Sequence, residues 1–149
     1  MNHKKLMMLL MLCAVVLFVS DVYVNMDNCS CGKNNCESLT PKRNASRGIL
    51  VIATMLFTVS LTYFLLGISE NSRLPSKNMV IVLSLMLGIV IIVLNSITIN
   101  VSSKNKNCSK SKLGGVIGLI TGLLITLASG ASLALAKKDL LRSVLKLNK

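Results

Sequence analysis

Tryptophan is absent from this 149-residue chain, aromatic residues make up 3%, and histidine occurs once, as His3. Ligand pockets are usually lined by apolar and aromatic side chains around a few placed polar groups, and this inventory offers little to build one. A lone histidine at the N-terminal end is poorly placed for acid–base work. Acidic residues number only 5 against 17 lysines and arginines, a formal net charge of +12. Proline appears twice, at Pro41 and Pro75, both outside the apolar stretches described below. Broken-helix substrate sites of the transporter kind therefore have no sequence support. No phosphate-binding glycine loop, nucleophile elbow or metal-binding helix motif is present. These absences argue against an enzyme, and no cofactor, metal or small-molecule substrate is expected.

What the chain does contain is 52% hydrophobic residues with only 15% charged. A disordered chain would need low hydrophobicity, and the length allows about one domain. The apolar residues are gathered into four continuous blocks, 6–24, 48–68, 79–101 and 113–136. Each matches the roughly 20 apolar residues that cross a hydrocarbon layer about 30 Å thick. All 17 basic residues lie outside the blocks, and the single formal charge inside them is Asp21. Continuous rather than alternating apolarity argues against a β-barrel. The expected fold is all-α, a single membrane domain (1–149) built as a four-helix transmembrane bundle with short loops. The first block also fits the charged start and apolar core of a secretory signal. Ser20-Asp21-Val22-Tyr23-Val24 lacks a small-x-small cleavage site, so an uncleaved span is expected. Asp21, near the end of that span, reads as a solvated carboxylate rather than part of an ion path.

Charge hardly orients the bundle. The N-terminus, the loop 69–78 and the tail 137–149 hold nine cations, and the opposite loops, 25–47 and 102–112, hold eight. Lys4 and Lys5 directly before the first span favour a cytoplasmic N-terminus under the positive-inside rule. Cysteines point the same way: Cys29, Cys31, Cys36 and Cys108 all fall on the side opposite the termini, with Cys13 inside the first span. In an oxidising compartment these four can form disulfides in three connectivities. A bridge between Cys29 and Cys31 would be strained, so a link from the first loop to Cys108, or a free thiol, is expected. The competing zinc reading lacks the common two-residue knuckle spacing; only Cys31 and Cys36, with four residues between them, suit a metal. Acceptor triplets at Asn28, Asn44, Asn100 and Asn107 lie in or beside the same two loops. The expected topology has both termini cytoplasmic and loops 25–47 and 102–112 opposite.

Small residues recur every four positions in the fourth block, at Gly114, Gly118, Gly122, Thr126, Gly130 and Ala134. Inside lipid, helices associate through close contact, and small side chains let backbones approach. The sequence does not say whether this seam meets its own bundle or another copy. Thr54, Thr58 and Thr62 repeat the spacing in the second block, and the third offers Ser84, Gly88 and Asn95. The tail 137–149 reads as a basic amphipathic helix, with Leu140, Leu141, Val144 and Leu145 opposite Lys138, Arg142 and Lys146. Together with Lys137 and Lys149 these cations suit an anionic surface, such as lipid headgroups. No aromatic stacking residues accompany them, which argues against nucleic acid.

Four spans with cysteines in the first loop invite comparison with claudins, but the tryptophan of the claudin loop has no counterpart. Tetraspanins carry Cys-Cys-Gly in a larger loop between spans three and four, whereas here the longer loop is the first and reads Cys29-Ser30-Cys31-Gly32. The overall build resembles small structural proteins of the inner membranes of large DNA viruses: short, multi-span, rich in Lys and Asn, without catalytic motifs. That resemblance implies a scaffold or anchor for a capsid, partnered by the bilayer, by other membrane or capsid proteins, or by further copies of itself. A small channel and a host assembly or trafficking factor are the competing expectations.

Overall fold

A computed structural model of the protein describes residues 3–26, 40–66, 77–104 and 108–147. Nearly every described residue is helical, and no strand occurs among them. The four helices are α1 (His3–Asn25), α2 (Thr40–Leu66), α3 (Lys77–Lys104) and α4 (Ser109–Leu147). Each contains a stretch long and apolar enough to cross a membrane: Lys5–Asn25, Thr40–Leu65, Met79–Lys104 and Ser109–Leu135. In hydrocarbon every backbone polar group must be satisfied internally, which a continuous helix achieves by itself. Several hydroxyls within the spans follow the same rule, though the buried one of Ser129 has no partner among the described residues. Ser84, Ser96, Thr121 and Ser132 each donate to the carbonyl four residues back, at 2.8 Å.

The helices run further than the apolar blocks. Helix α2 begins at Thr40 rather than near Gly48, so Lys42, Arg43 and Arg47 form its first turns instead of a loop. Pro41 supplies the reason, because proline has its φ preset for a helix's first turn and lacks only an N–H that would be unpaired there. Helix α4 runs without interruption for 39 residues, about 58 Å at 1.5 Å per residue.

Neighbouring helices are antiparallel and packed in a ring, each against the next, with α4 closing on α1. The start of α4 meets the end of α1, where Gly114 abuts Ser20 and Val24. Likewise Gly48 near the start of α2 faces Leu94 late in α3, and Gly88 in α3 faces Thr126 in α4. This alternation places the ends at His3 and Leu147 on one face of the bundle. The α3–α4 seam is the most extensive and α2–α3 the least.

The core is filled by Leu6, Leu10, Ala14 and Leu17 of α1, Ile49, Ala53 and Leu56 of α2, Ile91 of α3 and Ile125 of α4. Larger side chains such as Leu12, Met55, Met86 and Leu127 lie outward, Leu127 at 69% exposure. An apolar exterior of this extent suits lipid, not water.

Candidate functional site

Polar side chains are buried mainly at one end of the bundle, the rim where α1 ends and α2 begins. Asp21 is 2% exposed there, not the solvated carboxylate that its place near a helix end implies. The reason is the early start of α2, whose second turn brings Ser46 alongside. The Ser46 hydroxyl donates to one carboxylate oxygen of Asp21. The Asn25 amide donates to the other at 3.1 Å, and also reaches the Asp21 carbonyl and the Ser46 hydroxyl, each at 3.0 Å. A buried charge left without donors would be costly, and these bonds satisfy it.

Two further contacts stitch the same end. Ser20 donates across to the Gly114 carbonyl at 2.9 Å, joining α1 to α4. Ser102 and Ser111 share a hydrogen bond of 2.9 Å between α3 and α4. Deeper along that seam Asn95 is fully buried; its amide donates to the Ile91 carbonyl at 2.9 Å. Its Oδ1 has no hydrogen-bond donor among the described residues and lies against Gly118.

The glycine ladder of α4 thus turns inward, within its own bundle. A methyl group at Gly118 would collide with the terminal amide of Asn95. One at Gly122 would come within 3.0 Å of both Ile91 and Ile92, and one at Gly114 within 2.7 Å of the Ser20 carbonyl. Gly115, which lies off the four-residue ladder, is just as tight, with Ile99 at 2.8 Å. Thr126 faces Gly88, Gly130 has looser contact with Leu85, and Ala134 is exposed.

The threonine ladder of α2 goes the other way. Thr54, Thr58 and Thr62 are exposed, and their hydroxyls bond the Leu50, Thr54 and Thr58 carbonyls of their own helix at 2.7, 2.9 and 2.7 Å. None of the three hydroxyls bonds another helix, although Thr58 lines a groove at the α2–α3 seam.

Among the described residues there are two concavities of note. A lipid-facing groove of about 150 Å³ runs along the loosest seam, between Met55 and Val59 of α2 and Leu83 and Leu87 of α3. A larger recess of about 530 Å³ opens at the polar rim. Arg43, Arg47, Asn25, Asp21 and Ser46 line it, with Leu50 and Val51 one turn further into the span. Sequence reading passed over this cluster because Asp21 and the two arginines are more than 20 positions apart. Thr40-Pro41, a capping residue before a first-turn proline, was the available signal that a helix starts there.

Of the other candidate residues, Lys137 and Lys138 are exposed on α4. Arg142 and Lys146 belong to the same helix, while Lys149 lies outside the described residues. Cys29, Cys31 and Cys36 also lie outside them; Cys108 is buried just before α4, and Cys13 is a free, buried thiol of α1. No group of three His, Cys, Asp or Glu suited to a metal occurs among the described residues. Family models, curated proteins and solved structures give no match to the chain.

Proposed function

We propose that the chain is a non-enzymatic structural protein of a membrane, spanning it four times and anchoring a larger protein assembly through the basic end of α4. The observation that carries this reading is the length of α4. Its apolar stretch stops at Leu135 and the helix continues to Leu147, about 18 Å beyond. A projecting helix that begins with exposed Lys137 and Lys138 offers a handle to an acidic protein surface or to headgroups. The filled apolar centre supports a scaffold over a channel. In this reading the assembly is a shell such as a viral capsid on its inner membrane, and both termini face the shell.

The disulfide belongs to the same proposal. Cys108 is buried just before α4 and Cys13 is a free thiol within the span, so a bridge from Cys108 would take its partner from the cysteines of the first loop. Such a bridge would tie the loop 25–47 to the start of α4, on the face opposite the termini.

Purification of the assembled particles tests the main claim. The protein is expected at fixed stoichiometry, and a chain truncated after Leu135 should insert into membranes yet fail to recruit the shell. Robust ion-selective currents from the pure protein in liposomes would reject the scaffold reading. For the bridge, C108S should abolish the mobility difference between non-reducing and reducing gels.

A further inference from the structure

The recess at the polar rim has the chemistry of an anion site. Arg43 and Arg47 are one helical turn apart, both exposed, and neither guanidinium has a hydrogen bond or ion pair with a described residue. Asp21, the acidic group among the described residues that lines the recess, already accepts from Ser46 and Asn25 with both carboxylate oxygens. The rim is also loaded with positive charge from the backbone. Helix α2 has no acidic residue in its first turn, and a helix N-terminus itself carries about half a positive charge. Among the described residues no carboxylate pairs with Arg43 or Arg47, so two cations stand at this positive helix end with room for an anion between them and the recess wall.

The lower wall of the recess narrows the choice of anion. Leu50 and Val51 are 46% and 51% exposed and follow Arg47 by about one turn, roughly 5 Å along the helix. That is the order in which a phospholipid presents its parts, phosphate first and acyl chain below. Arginine suits the first part, because its planar fork grips phosphate oxygens in pairs.

We propose that this recess binds the phosphate of an anionic phospholipid, held by Arg43 and Arg47 with its acyl chain along Leu50 and Val51. The site is independent of the shell-docking role of α4, since it lies at the opposite end of the bundle.

The test uses the full-length protein in vesicles of phosphatidylcholine, with and without phosphatidylglycerol, and native mass spectrometry to count the lipids retained. Wild-type protein is expected to retain phosphatidylglycerol in preference to phosphatidylcholine. R43Q/R47Q should weaken that retention by about tenfold, whereas K110Q/K112Q, which removes the same charge from the same rim at α4, should leave it unchanged. R43K/R47K, keeping charge but losing the fork, should fall between wild type and the glutamine variant. Circular dichroism confirms that each variant is folded. Equal loss in the two glutamine variants would overturn the site in favour of general surface charge. No preference in the wild type would overturn it outright. Competition by inorganic phosphate as effective as by the lipid would overturn the assignment to lipid and leave a free-anion site.

Discussion

Helix α4 and helix α2 each carry small or hydroxylated residues at every fourth position, and the two ladders do opposite things. Along α4, Gly114, Gly118 and Gly122 are buried so closely that a single methyl group would strike α1 or α3. Along α2, Thr54, Thr58 and Thr62 stand on the outer surface and bond only to their own helix. The difference lies in what each side chain needs. Glycine contributes nothing to the surface except room, so it is useful only where another backbone arrives. Threonine satisfies its hydroxyl against the preceding turn and presents a methyl outward, which makes it acceptable to lipid. Equal spacing therefore defines a face in both helices, and side-chain chemistry sets its use.

Substitutions can break or sharpen that contrast. The largest effect is expected for Gly118→Leu, which places a branched side chain where the Asn95 amide sits. Unfolding titrations in mixed micelles should show a loss of about 3 kcal/mol or failure to assemble. Asp21→Ala follows, since Ser46 and Asn25 lose their shared acceptor inside the bundle; about 2 kcal/mol is expected by the same assay. Ser20→Ala removes one interhelical hydrogen bond, to the Gly114 carbonyl, for about 0.6 kcal/mol. Smallest is Thr58→Val, expected within about 0.5 kcal/mol because the residue faces outward. A Thr58→Val variant as damaged as Gly118→Leu would erase the contrast and mark the threonine face as a contact with another copy.

Much of this fold could be read from hydrophobicity alone. Four apolar blocks, free of lysine and arginine, give four helices because the bilayer leaves a polar backbone no alternative. The seam in α4 was legible too, as a face, since small residues at i and i+4 share one side of a helix. Its partner was not, because α3 offers Ser84, Gly88 and the buried Asn95 rather than a matching ladder. The polar rim escaped for a different reason. Asp21 looks like a solvated helix end until α2 is known to start at Thr40, eight residues before its apolar block. That start depends on Thr40 and Pro41, a local cue that a hydropathy scan does not weigh. The cluster of Asp21, Asn25 and Ser46 then follows from the antiparallel pairing of α1 and α2, a tertiary fact.

The unbroken course of α4 has a mechanical consequence. With no proline along its 39 residues, the helix is one lever embedded in the bundle. Its fulcrum is the tight contact of Gly118 and Gly122 with Asn95, Ile91 and Ile92 of α3. A load applied to the projecting end near Leu147 therefore carries through to the opposite rim, where Gly114 is bonded to Ser20. A pull on one face of the membrane becomes a tilt felt at the other.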